Sequence, residues 1–85
     1  MIGGIFLKEE ILNKLIEKTA RVLRVEPSTL SGQTNIKTDI DLKSIEMVGI
    51  ISELEEEYDC YIKYTELMHA DKIEQAAEII AKQIG

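Results

Sequence analysis

Apolar residues recur along this chain at spacings of one, three and four. Ile11, Leu12, Leu15, Ile16, Thr19, Val22 and Leu23 fall on one helical face and predict a helix over about residues 7 to 24. Pro27 should stop it, because its ring disfavours helical geometry at Glu26 and it has no amide hydrogen to donate. From residue 26 to residue 43 the pattern changes to Pro27, Ser28, Ser31, Gly32, Thr34, Asn35, Thr38, Asp39 and Asp41, which favour turns and caps. Leu30, Ile36, Ile40 and Leu42 interrupt that polarity at intervals, so this long loop is expected to be pinned to the core.

Helical spacing returns with Met47, Ile50, Ile51, Leu54 and Tyr58, which predict a second helix from Ser44 to Tyr58. Asp39 or Asp41, just upstream, is placed to favour its start by capping or through the helix dipole. Cys60-Tyr61-Ile62 reads as a short extended connection, and Thr65 caps a brief helical turn through His69. Asp71 with Glu74 three residues on resembles a capping box opening a final helix, whose apolar face is Ile73, Ala76, Ala77, Ile80, Ala81 and Ile84. The expected fold class is all-α: a small bundle of three main helices plus one short helix, a long loop between helices one and two, and a single domain over 1–85. Neither strand periodicity nor a repeat is visible.

Composition narrows the picture. An 85-residue chain buries only about 60% of its unfolded surface, and with one Phe, three Tyr and no Trp its core must be aliphatic. The net charge of −6 excludes binding to nucleic acid driven by counterion release. That charge is uneven: residues 1–38 carry +2 and residues 39–85 carry −8, with six acids and no base between Ser44 and Asp59. An acidic run of this kind is either a solvated helix face or a docking surface for basic partners. Cys60 is the only cysteine, so neither an internal disulfide nor a cysteine-based metal site is available, which suits a reducing, cytoplasmic compartment. The apolar stretch Met1 to Leu7 lacks a basic n-region and runs into Lys8-Glu9-Glu10, unlike a signal peptide, and no run approaches the roughly 20 apolar residues of a membrane span.

No autonomous catalytic device emerges. The single histidine, His69, has no motif around it, and consecutive Glu55, Glu56 and Glu57 point around a helix instead of forming a tuned pair. Asp39-Ile40-Asp41-Leu42-Lys43 puts apolar and basic residues where a calcium loop needs oxygen ligands and a glycine. No metal site is expected. What stands out is a serine at the start of an acidic amphipathic helix, directly after a long loop.

That stretch, TDIDLKSIEMVGIISELEEEYD, resembles the acyl carrier proteins, whose pattern is an Asp-Leu-Gly-x-Asp-Ser-Leu turn opening a helix that closes in a Leu-Glu-Glu-Glu-Phe-like run. Ser44-Ile45 matches Ser-Leu, and Leu54-Glu55-Glu56-Glu57-Tyr58 matches the closing run at the same spacing. Helix one, the Val25-Glu26-Pro27 turn, the polar loop and Ile73-Glu74-Gln75-Ala76-Ala77 follow in family order over nearly the whole chain. The resemblance implies an acyl-carrier-like bundle with 4'-phosphopantetheine, donated from coenzyme A, on Ser44 through a phosphodiester. It further implies a discrete carrier, not an enzyme, holding acyl groups as thioesters for fatty-acid, polyketide or lipid biosynthesis. Partners would be a phosphopantetheinyl transferase and acyl-transfer and chain-elongation enzymes with basic docking patches; no membrane association or oligomer is called for. An aminoacyl or peptidyl carrier, and an unmodified helical interaction module of the same fold, remain open, as does a plain N-cap role for Ser44.

The expected docking residues are Ile45, Glu46, Val48, Gly49, Ser52, Glu53, Glu55 and Glu56 on the helix that presents Ser44. Ile50, Leu54, Ile62, Ala76 and Ala77 are candidates to line an acyl pocket, or else are ordinary core. Three departures from the family pattern bear on partners. Lys43 stands where an Asp usually precedes the serine, Asp41 replaces a turn glycine, and Gly49 with Ser52 replaces an acid and a larger apolar residue. With Ile45 and Val48 the last pair outlines a flat, less charged patch, which suggests a dedicated partner set.

Overall fold

A computed structural model describes residues 3–85, with side chains from Phe6 onward; Met1 and Ile2 of the apolar N-terminal stretch lie outside the described residues. Four helices follow in order: α1 over Gly3–Leu23, α2 over Ser44–Tyr58, α3 over Tyr64–Leu67 and α4 over Ile73–Ile84. The all-α expectation holds, since the described residues contain no β-strand and only one isolated antiparallel bridge, Asn35 to Lys72.

The apolar periodicity sets the packing. Ile11 and Leu15 of α1, Ile50, Ile51 and Leu54 of α2, and Ile73, Ala76, Ala77 and Ile80 of α4 are buried in one cluster with Ile62, Leu67 and Ala70. The most extensive helix pair is α1 with α4, and Ala76 and Ala77 of α4 are both buried. Thr19 is buried on the same face, and the described residues contain no buried side-chain polar atom without a hydrogen-bond partner.

Several local expectations are corrected. α1 begins at Gly3, before residue 7, because glycine weakens a helix without breaking it as proline does. Its end is made by Arg24, at φ 61°, with the Val25 amide donating to the Ala20 carbonyl at 3.0 Å, a Schellman-type closure without the usual glycine. Pro27 then opens a single 3-10 turn, Pro27–Thr29, that the periodicity did not reveal. The short helix starts at Tyr64, one residue before Thr65, which therefore does not cap it; the preceding residue, Lys63, holds that position.

Neither Asp39 nor Asp41 caps α2. Asp39 accepts from the Asn35 amide at 2.8 Å within the loop, and Asp41 lies 3.5 Å from the Lys43 ammonium. Glu46 closes the first turn instead, accepting from the Lys43 amide at 2.8 Å. At α4 the capping residues shift by one: Gln75, not Glu74, reaches back to the amides of Asp71 and Lys72 at 2.8 and 2.9 Å. The shift follows from the loop, which fixes the register. Ile73 donates to the Thr34 carbonyl at 3.1 Å, Glu74 to Gly32 at 3.0 Å, and Ile36 to Asp71 at 2.7 Å. Gly32 packs closely here: a Cβ would stand 3.1 Å from the Glu74 Cβ, so a larger residue would need the start of α4 to give by a few tenths of an ångström. These bonds, with buried Leu30 and half-buried Ile36, Ile40 and Leu42, pin the long loop to the N-terminus of α4.

Candidate functional site

Ser44 is the first residue inside α2, exposed, with Lys43 in the cap position and making no side-chain cap bond. The serine is therefore not the N-cap. Its hydroxyl stands at the positive end of a 15-residue helix, where the first-turn amides lack intrahelical acceptors, an environment that favours an attached anion.

Beside Ser44 opens a groove of about 370 Å³. The pinned loop forms one wall through Ile36, Ile40 and Leu42, the α3 region the other through Tyr64, Leu67 and Met68, and Met47 and Ala76 line it from α2 and α4. Lys37 and Asp41 stand with Ser44 among its polar lining. Of the residues considered for a pocket, only Ala76 lines this groove. Ile62 lines a shallower recess of about 190 Å³ on the other side of Tyr64, while Ile50, Leu54 and Ala77 are sealed in the core at 1% exposure or less. The loop side chains that build the wall were visible in the sequence as the apolar interruptions of a polar loop, a signal assigned to anchoring alone.

The acidic helix is divided by its neighbours. Lys14, Lys18 and Arg21 of α1, spaced by four and three, face Glu53 and Glu57 of α2, spaced by four. Glu57 pairs with Lys14 and Lys18 at 2.7 Å each, and Glu53 with Lys18 and Arg21 at 2.9 Å each. Hydrogen bonds from Lys14 and Lys18 hold the Glu57 carboxyl at about 2, well below the usual range, and bonds from Lys18 and Arg21 lower Glu53. The bond to Glu57 raises Lys18 in turn, against a smaller opposing effect of burial. Tyr58 donates to the Glu10 carboxylate and sits under the Lys14 ammonium at 5.2 Å; burial, then Glu10, raises its hydroxyl. Glu55 accepts from the Ile62 amide at 2.8 Å, tying down the extended connection after α2. Neither reading of the acidic run anticipated this clasp, yet the basic α1 stripe and the acidic α2 pair were both present in the uneven charge.

The remaining expected docking residues, Ile45, Val48, Gly49, Ser52 and Glu56, are exposed on the outer face of α2, while Glu46 is half-buried over its first turn. His69 is exposed, and burial raises the thiol of half-buried Cys60. Among the described residues no group of three or more His, Cys, Asp or Glu could hold a metal, and no helix is long and apolar enough to cross a membrane.

Comparison with known proteins places this geometry. A family model described as the phosphopantetheine attachment site matches residues 13–80. The acyl carrier protein of Rubrobacter xylanophilus is 31% identical over 75 residues, covering 88% of this chain and 93% of the relative. That of Lactobacillus acidophilus is 31% identical over 74 residues, covering 87% and 89%. The Arabidopsis thaliana protein named acyl carrier protein 2, mitochondrial, is 28% identical over 81 residues, covering 94% of this chain and 64% of its own length. No solved structure matches the chain.

Proposed function

The chain belongs to the phosphopantetheine-binding acyl carrier family, and from that premise we propose that Ser44 is the attachment point of its 4'-phosphopantetheine. The observation that carries this reading is the position of Ser44: exposed, at N1 of α2, and lining the groove between the loop and α3. When attached, the arm supplies a terminal thiol that holds acyl groups as thioesters. The chain's own residues do the rest. The Ser44 hydroxyl would form the Oγ–P bond as the pyrophosphate linkage of coenzyme A breaks, with adenosine 3',5'-bisphosphate as the leaving group and the serine proton passing to the transferase. The free amides of the first turn would hold the resulting anion, while the nearby Lys37 and Lys43 are each already paired with an acid, Asp71 at 3.0 Å and Asp41 at 3.5 Å. Ile36, Leu42, Met47 and Leu67 offer a nonpolar acyl chain a surface that stabilises it by about 0.8 kcal/mol per buried methylene.

On this reading the protein, one carrier domain over 1–85, is a monomeric carrier acted on by a phosphopantetheinyl transferase and by acyl-transfer and chain-elongation enzymes of fatty-acid, polyketide or lipid biosynthesis. It catalyses nothing itself. Cytoplasmic conditions suit its one unpaired thiol, Cys60. Tethering keeps the acyl group at high effective concentration for each docked enzyme. The test is intact mass after incubation with coenzyme A and a broad-specificity transferase. A gain of one phosphopantetheine, lost in Ser44→Ala, is expected; no gain in the wild type supports an unmodified interaction module.

A further inference from the structure

The groove beside Ser44 and the shallower recess, about 370 and about 190 Å³, have one lining residue in common, Tyr64. The two spaces follow one another along α2. Ser44 and Met47 border the first, and Val48, Ile51, Ser52 and Glu55 the second, in steps of three and four that keep to one side of the helix. The helix rises about 16 Å between Ser44 and Glu55. A path for a chain tethered at Ser44 therefore runs along α2, and Tyr64 stands across it.

The path changes character at that point. Before Tyr64 its lining includes the charged Lys37 and Asp41; beyond Tyr64 it is bordered by Val48, Ile51 and Ile62, and its one carboxylate, Glu55, is tied to the Ile62 amide at 2.8 Å. Tyr64 is the first residue of α3, whose start is anchored to α4: the Lys63 amide donates to Gln83 Oε1 at 2.7 Å, and Gln83 Nε2 donates to Glu66 at 3.1 Å. Buried Leu67 holds the other end of the same turn. What separates the two spaces is thus a half-buried side chain on a fixed backbone, so a smaller side chain would remove the partition and leave the wall of α3 standing. Ile50, Leu54 and Ala77, deeper in the bundle, are sealed at 1% exposure or less and line neither space. An acyl chain sheltered without repacking the core stays on the path along α2.

Resting on the assignment of Ser44, we infer that Tyr64 sets the length of acyl chain this carrier shelters. The groove takes a nonpolar chain of medium length, and Tyr64 shuts it off from the recess that would take the end of a longer one. A methylene group occupies roughly the 30 Å³ of a liquid water molecule, so 370 Å³ admits at most about twelve and 190 Å³ about six more. The arm itself takes part of the first share, which leaves room for medium chains and not for long ones.

The test is a series of acyl forms. Apo protein is loaded by a broad-specificity transferase from butanoyl-, octanoyl-, dodecanoyl- or hexadecanoyl-coenzyme A. Each form is melted beside the holo form of the same variant, so that any loss of stability from the substitution itself cancels. In the wild type the gain over the holo form should rise from butanoyl to octanoyl and stay level within about 2 °C from dodecanoyl to hexadecanoyl. In Tyr64→Ala the hexadecanoyl form should melt at least about 5 °C above the dodecanoyl form. Tyr64→Val, which keeps more apolar cover over the core, should follow Tyr64→Ala, and Tyr64→Phe, which keeps the ring, should follow the wild type. A level profile in both Tyr64→Ala and Tyr64→Val, a wild-type gain that keeps rising to hexadecanoyl, or no gain from any chain overturns the role of Tyr64 while leaving Ser44 as the attachment point. A wild type that takes up no acyl-phosphopantetheine overturns both.

Discussion

Lys18 is the centre of the clasp between α1 and α2, and its replacement gives a test of how charge holds the bundle together. Its side chain is only 12% exposed and bridges Glu53 and Glu57 at 2.9 and 2.7 Å. Lys18→Met keeps the apolar stem over the core and removes both pairs. The fall of Glu57 from an ordinary 4.5 to about 2, at about 1.36 kcal/mol per pH unit, sets an upper limit near 3 kcal/mol for the carboxylate's whole environment. Glu57 is itself 36% exposed and keeps Lys14, so solvent screening reduces the share lost with Lys18 to about 1 kcal/mol. In a domain of this size that lowers the melting temperature by about 4 to 8 °C at pH 7. The pH dependence has a definite sign. Because the folded-state pKa of Glu57 is depressed, its contribution is full above the unfolded value of 4.5 and is lost as pH falls towards about 2, and Glu53 follows the same direction. Lys18, raised in the folded state, contributes fully below 10.5 and ceases to do so in stronger base. Thermal melts followed by circular dichroism should therefore show wild type and Lys18→Met separated at neutral pH and converging near pH 2, with partial convergence in about 1 M NaCl. A gap that persists undiminished in acid would refute an ionic origin and assign the loss to packing.

Other substitutions test the helix ends and the core. Arg24 holds a left-handed conformation at the end of α1 that glycine adopts without strain, so Arg24→Gly should gain about 1 kcal/mol in urea denaturation. Leu54 is fully buried at the contact of α2 with the core, and Leu54→Ala should cost about 3 kcal/mol in the same assay. Lys43 occupies the N-cap of α2 without capping it, so Lys43→Asp should supply a side-chain acceptor and stabilise the helix by about 0.5 to 1 kcal/mol. It should also change which transferase modifies Ser44 fastest; equal rates for wild type and variant across several transferases would remove Lys43 as a selectivity determinant.

The contrast between α2 and its surroundings explains what could be read from sequence. The bounds Ser44 to Tyr58 and the buried faces of α2 and α4 follow from local periodicity, which a single helix writes into adjacent residues. Caps did not follow. Asp39 and Asp71 are good capping residues by type, but the hydrogen bonds that tie residues 32 to 36 to residues 71 to 74 decide which residue stands at each helix start. The same holds for the candidate site. The place of Ser44 at the exposed start of α2 was legible because its signal is contiguous, whereas the groove wall and the engagement of Glu53, Glu55 and Glu57 depend on partners on other elements. Charge counted along the chain reported the acidity of α2 correctly; only the fold shows how little of it faces outward near the serine.

The pairing of α1 with α4 has a consequence for timing. These helices lie at opposite ends of the chain's order, yet they share the most extensive contact in the bundle, and the loop leading to Ser44 is fastened to the first turn of α4. During synthesis α1, the loop and α2 are therefore made before the element that locks them together. A nascent chain stopped before residue 73 would contain the serine but not its fixed setting, so modification by an enzyme that recognises the folded face belongs after α4 has emerged and docked.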